Sequence, residues 1–204
     1  MAVDAELLTG RYALAEQLGY GGMGRVYRAH DRVLDRDVAI KFLDELDRSI
    51  EDDARAVAQL SHPGIVRVFD TGRCERGGFL VMELVNGPSL KQALAERGRF
   101  EVQEGLRLAA QVADALEHAH SQGLIHCNLK PHNILLDGQR PKLVDFGIAQ
   151  GATISGTLAS DEIRGSAPYL APEQATGQRP DARTDVYGLG ATLYELLTGR
   201  PPFE

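Results

Sequence analysis

The stretch "GLIHCNLKPHNILL", residues 123–136, joins two kinds of chain. Before it, residues 102–121 carry Leu106, Ala109, Ala113, Leu116 and Ala119 or His120 at helical spacing, and Gly123 ends the pattern. After it, "NILL" and "PKLVDFG" (141–147) read as short strands. The loop between places Cys127, Asn128, Lys130 and Asn133 within seven residues, the polar crowding of a segment that binds or reacts.

Downstream, "TDVYGLGATLYELLT" (184–198) is an apolar helix stopped by Gly199, Pro201 and Pro202. Gly151–Gly165 is rich in Ser, Thr and Gly and is expected to be mobile. Upstream, "YALAEQLG", "GRVYRAHD", "DVAIKFLD", "GIVRVFDTG" (64–72) and "GGFLVMELV" are strand-like. "RSIEDDARAVAQLSH" switches to helical spacing, with Ala54, Val57, Ala58 and Leu60 as its stripe. The outline is a small β-rich part, a hinge near residues 83–87 and a mostly helical part. Neither an internal repeat nor a low-complexity segment interrupts it.

With 204 residues, 43% hydrophobic and 25% charged, the chain has the composition of a soluble globular protein. No apolar run approaches the roughly 18 residues that span a bilayer, so no membrane insertion is expected. A net charge of -7 argues against nucleic acid or an anionic membrane as the main partner. The two cysteines, Cys74 and Cys127, cannot form a disulfide scaffold, and a reducing cytoplasm is the simplest location. Lys41, Lys91, Lys130 and Lys142 are the only lysines among 22 basic residues, which singles out each place where Lys is kept.

"LGYGGMGRVY" contains G-x-G-x-x-G at Gly19, Gly21 and Gly24, followed by Val26. Glycines let backbone N–H groups approach phosphate oxygens. The pattern is shared with dinucleotide-binding turns and with glycine-rich hairpins. Its position between two strands, opening no helix, disfavours the dinucleotide fingerprint. "DVAIK" ends an apolar strand on Lys41, whose charge needs an anionic partner unless the strand lies at a solvated edge.

Taken in order, the glycine loop, "VAIK", "HPGIV", "IHCNLKPHNILL", "KLVDFG", "APEQ" and "DVYGLGATLYELLTGRPPF" resemble a protein kinase, most of all the bacterial serine/threonine kinases of eukaryotic type. The resemblance runs from Arg11 to Phe203. It implies a two-lobed α+β fold: a β-rich N-lobe over 11–85, and a helical C-lobe over 86–204 that is truncated after the helix at 184–198. It further implies ATP and Mg²⁺ as ligands. Gly19, Gly21 and Gly24 would cover the phosphates, and Lys41, paired with Asp53, would hold the α and β phosphates. Val26 and Ala39 would enclose the adenine from one side and Leu135 from the other, with backbone groups of Glu83 and Val85 at its edge. Asn133 and Asp145 would bind the metal, and Lys130 the γ-phosphate. Val57, Val68, His126 and Phe146 would stack as an internal column near Asp185.

Four departures from the family pattern govern the expected function. Asn128 stands where the family has the Asp that accepts the substrate proton, and a neutral amide has no basic site near pH 7. Cys127 replaces the Arg that gathers a phosphorylated loop, so Thr153, Ser155, Thr157 or Ser160 would lack that route to ordering. Asp53 is one methylene shorter than the usual Glu. The sequence stops at "RPPFE", which would leave Glu173 without its usual Arg and expose an apolar face suited to self-association. These departures predict a naturally degenerate serine/threonine pseudokinase that binds ATP–Mg²⁺ and acts through a protein partner. The alternatives are an active serine/threonine kinase of low rate, for which Lys130 sets the specificity class and a protein is the substrate, and an inert fragment.

Overall fold

A computed structural model describes residues 7–21, 24–43, 54–146 and 166–203. The chain divides into two compact units, Met1–Ala58 with Arg67–Val85, and Gln59–Val66 with Asn86–Glu204.

The first unit is a six-stranded sheet in the order β1-β2-β3-β4-β6-β5. Its strands are β1 (Leu7–Leu8), β2 (Tyr12–Gly21), β3 (Gly24–Asp31), β4 (Arg36–Leu43), β5 (Val68–Cys74) and β6 (Gly77–Glu83). Every pairing is antiparallel. In β4 the apolar run buries six successive residues, Val38–Leu43, as befits a central strand covered on both faces. One face packs Leu8, Tyr12, Leu14, Ala29, Val38, Ile40, Phe42, Phe79 and Val81 into a core. Residues 54–58 are helical (α1), with Ala54 and Val57 buried.

The second unit contains α2 (Leu90–Arg97), α3 (Val102–Ser121), the two-stranded sheet β7 (Ile134–Asp137) and β8 (Arg140–Leu143), the short α4 (Pro172–Ala175), and α5 (Ala182–Thr198). Ser89 caps α2 in a reciprocal box with Gln92, and Asp181 caps α5 with Thr184. Gly199 closes α5 at φ 79°, a left-handed position that suits glycine.

Two expectations change. The run 64–72 does not form one strand. Val66 N donates to Leu143 O (2.9 Å) and Leu143 N to Gly64 O (2.8 Å), which ties 64–66 to β8, while β5 starts at Val68. The buried face of α3 is Gly105, Leu108, Val112, Ala115, Leu116 and Ala119, and Leu106 is 51% exposed. The stripe is rotated because Gly105 is the contact point with α5, where a Cβ would come within 2.8 Å of Leu197 Cδ2.

Candidate functional site

In the first unit, register decides which side chains share a face. Gly19 pairs with Val26, Val26 with Lys41, and Lys41 with Leu80. Directly opposed residues point to the same side of a sheet, as do residues two apart on a strand. Gly19, Val26, Lys41 and Ala39 therefore lie together on the face opposite the core of Ile40 and Phe42. Lys41 is 3% exposed although charged. Gly21 pairs with Gly24, which closes the hairpin. Gly24 has φ 129°, and a Cβ there would fall 1.7 Å from Phe42 O, so the fold itself demands this glycine. Gly19 has no such constraint, since nothing lies within 4 Å of its would-be Cβ. Glu83 N donates to Arg67 O (2.9 Å), and Val85 is the last residue of the unit. Val57 is buried and Val68 half-buried. Asp53 lies outside the described residues, as do Thr153, Ser155, Thr157 and Ser160.

In the second unit, the loop after α3 is organised by a buried carboxylate. Asp185, 1% exposed on α5, accepts from His126 N (2.8 Å), Cys127 N (2.8 Å) and the His120 ring (2.7 Å). Two backbone donors and a ring compensate its burial. They also hold Cys127 at φ 65°, an uncommon conformation for a residue with a side chain. His126 is fully buried, and burial pushes its pKa below the ordinary value. Its Nε2 meets Val144 O (2.9 Å) while Nδ1 accepts from Asn128 N (3.2 Å), so the neutral ring carries its proton on Nε2. Phe146 packs on this ring, centroids 4.7 Å apart.

The residues expected to hold metal come together here. Asn133 precedes β7 and Asp145 follows β8, and the register Ile134–Leu143 sets both at one end of the hairpin. Val144 N donates to Asn133 O (3.0 Å). Asn133 Nδ2 donates to Asn128 O (2.7 Å), which leaves Oδ1 as the end of the amide suited to a cation. Two hard oxygen donors fit Mg²⁺, which keeps several waters and phosphate oxygens in its shell. Among the described residues, no group of three His, Cys, Asp or Glu side chains offers a competing metal site. Leu135 is half-buried in β7, its backbone bridged to Ser89.

Asn128 and Lys130 meet at a residue the sequence reading did not single out. Lys130 Nζ donates to Ser166 Oγ (2.6 Å), and Ser166 Oγ faces Asn128 Oδ1 at 3.5 Å. Nothing in local composition separates Ser166 from the Ser and Thr residues just before it. With Oδ1 turned to Ser166, the other end of the Asn128 amide is a donor, which cannot accept a substrate proton. Glu173, expected to lack its usual partner, accepts from Thr184 Oγ1 at 2.6 Å. Glu195, 2% exposed, binds Lys91 Nζ (2.7 Å) and the Tyr169 hydroxyl. That hydroxyl is pushed far above its usual pKa by burial and by the carboxylate.

A family model described as protein kinase domain matches residues 12–204. The chain is 39% identical over 205 residues to the serine/threonine-protein kinase PrkC of Bacillus subtilis, covering 97% of this chain and 32% of that protein. It is 41% identical over 210 residues to the serine/threonine-protein kinase PknB of Mycobacterium tuberculosis, covering 96% and 34%. The chain thus spans about a third of the length of these curated relatives. Among solved structures, it resembles the PknI kinase domain of Mycobacterium tuberculosis, with a TM-score of 0.81, 31% identity, and coverage of 100% of this chain and 80% of that one. It also resembles Rad53 solved in complex with AMP-PNP, with a TM-score of 0.79, 26% identity, and coverage of 95% and 50%.

Proposed function

Since this chain belongs to the protein kinase family, we propose that it is a serine/threonine pseudokinase, which binds ATP with Mg²⁺, is dead or severely impaired in phosphate transfer, and acts by binding or regulating a protein partner. Lys41, in one row with Gly19 and Val26, would engage the α and β phosphates, and Lys130 the γ-phosphate. Asn133 and Asp145 would hold Mg²⁺, which when bound neutralises charge on the phosphates. Asp53 would complete the Lys41 pair, Val26, Ala39 and Leu135 would line the adenine, and Glu83 and Val85 would meet its edge through backbone groups.

The observation that carries the impairment is the Asn128 amide, whose oxygen faces Ser166 and whose remaining end is a donor. A general base contributes about 10²–10⁴ in rate, and that contribution is what an amide forfeits. A second reading, an active serine/threonine kinase of low rate, is favoured by the Lys130–Ser166 contact, which keeps a cation beside position 128. Phosphoryl transfer depends mostly on positioning and electrostatics, which this contact preserves.

Two measurements test the proposal. A thermal-shift titration with ATP and Mg²⁺ should raise the unfolding temperature, because a ligand of the folded state alone stabilises it; no shift at millimolar ATP rejects nucleotide binding. A radiolabel transfer assay should show Asn128→Asp about 10²-fold or more faster than the natural chain. Transfer by the natural chain that Asn128→Asp does not raise overturns the impairment and leaves the active-kinase reading.

A further inference from the structure

Gln174 lies 47 residues from Cys127 in sequence, yet its side-chain Nε2 donates to Cys127 O at 2.7 Å. Its Oε1 accepts from Ala171 N at 3.1 Å, at the start of α4. Both ends of one amide are thus engaged with backbone, and only an uncharged donor–acceptor group of this length satisfies both. The carbonyl it grips belongs to the residue at φ 65°, whose own N–H is held by Asp185. A side-chain-bearing residue in the left-handed region persists where its surroundings over-determine it, and here one clamp takes the N–H and another the C=O. The next residue is Asn128, whose N–H meets His126 and whose carbonyl receives Asn133 Nδ2.

We propose that Gln174 is a positioning residue for the transfer loop: it fixes the Cys127 peptide, and through it the backbone that aims Asn128 and the cation-binding oxygen of Asn133. The proposal deepens the reading of residues 126–133 as the transfer loop and rests on it. The cavity beside Gln174 is lined by Cys127, Asn128, Leu129, Ser166, Tyr169 and Leu170 among others, with no charged side chain, and Tyr169 is committed to Glu195. Lys130 Nζ, bound to the lining residue Ser166 at 2.6 Å, is a cation beside this cavity, but a carboxylate at 174 has no donor for the Cys127 carbonyl and would repel it. Protonated, it would have the donor and acceptor pattern of glutamine.

The test compares the natural chain with Gln174→Met and Gln174→Glu. Amide-exchange protection factors at Cys127 and Asn128 are measured by NMR, alongside ATP affinity with and without Mg²⁺. Gln174→Met should lower protection at both amides about tenfold, the weight of one strong hydrogen bond, and leave Val112 in α3 unchanged. Gln174→Glu should do the same at pH 8, where the carboxylate offers no donor to Cys127 O. Affinity for ATP should fall about three- to tenfold with Mg²⁺ present and stay level in EDTA. Unchanged protection at Asn128, loss spread equally over α3, or an ATP affinity that falls equally with Mg²⁺ and in EDTA overturns the positioning role. Should Gln174→Met fail to fold, Gln174→Glu at pH 8 decides by the same readouts. Absence of ATP binding in the natural chain would reject the nucleotide reading while the exchange data still judge Gln174.

Discussion

Gly19 and Gly24 belong to one motif but are glycine for different physical reasons. At Gly24 the backbone sits at φ 129° with Phe42 O where a Cβ would go. Gly24→Ala must therefore distort β3 or β4, and a loss of about 3 kcal/mol or more is expected in urea unfolding. At Gly19 the would-be Cβ meets nothing within 4 Å. Gly19→Ala should shift stability by less than about 1 kcal/mol, so any fall in ATP affinity reports on phosphate approach alone. If Gly24→Ala is as stable as Gly19→Ala, the close approach to Phe42 is wrong. Position 128 likewise separates backbone from side chain: the Asn128 N–H and carbonyl bind His126 and Asn133, while its side-chain oxygen faces Ser166.

At the scale of elements, the ends of β2 and β3 are tied by Asp31. Its carboxylate is fully buried, takes Arg11 Nε (2.8 Å) and NH2 (2.7 Å), and caps the turn by accepting from Val33 N and Leu34 N. The Arg11 hydrogen bonds, helped by the turn amides, hold the Asp31 pKa down at about 2 against the ordinary 3.8. A depressed carboxylate adds stability that is present above the unfolded value and lost as pH falls towards the folded one, here between about 3.8 and about 2. Asp31→Asn should cost about 1–3 kcal/mol at pH 7, less than the roughly 3–5 kcal/mol for breaking a fully buried pair because Arg11 is partly solvated, and should flatten the acid limb of a urea-stability profile. An unchanged acid limb would show that Asp31 is not a source of it. The strands themselves were legible in sequence: "GRVYRAHD" and the buried run of β4 form where their patterns place them. The clamp was not, because Arg11 and Asp31 are twenty residues apart and neither departs from an ordinary surface charge in local pattern.

Across the whole molecule, the ordered motifs revealed the fold because each is local, a glycine hairpin, a strand ending in Lys or a helix closed by Gly-x-Pro. The features that escaped are those settled by distant partners. The face of α3 is chosen by Leu197, the division of 64–72 by Leu143, the side-chain contact of Asn128 by Ser166 and the carbonyl contact of Cys127 by Gln174. A quantity at this scale is the proton balance of folding near neutrality. His126 is depressed by burial and has Nδ1 committed to the Asn128 amide, so protonating it costs a hydrogen bond inside the second unit. His132 is depressed too, by desolvation first and then by Lys130 and Lys91. His30 is raised by Asp37, but it is solvent-exposed and its effect is screened. For a depressed histidine the unfolded chain binds the proton first, near 6.5, so stability present above that value is lost as pH falls below it. Urea midpoints should therefore drop between pH 7.5 and pH 5.5, with a limiting slope of about 1.4 kcal/mol per pH unit for each proton taken up. A midpoint that stays level or rises on acidification, and still does so once His30→Gln removes the opposing exposed group, would mean that the neutral, Nε2-protonated ring behind Asn128 has to be abandoned.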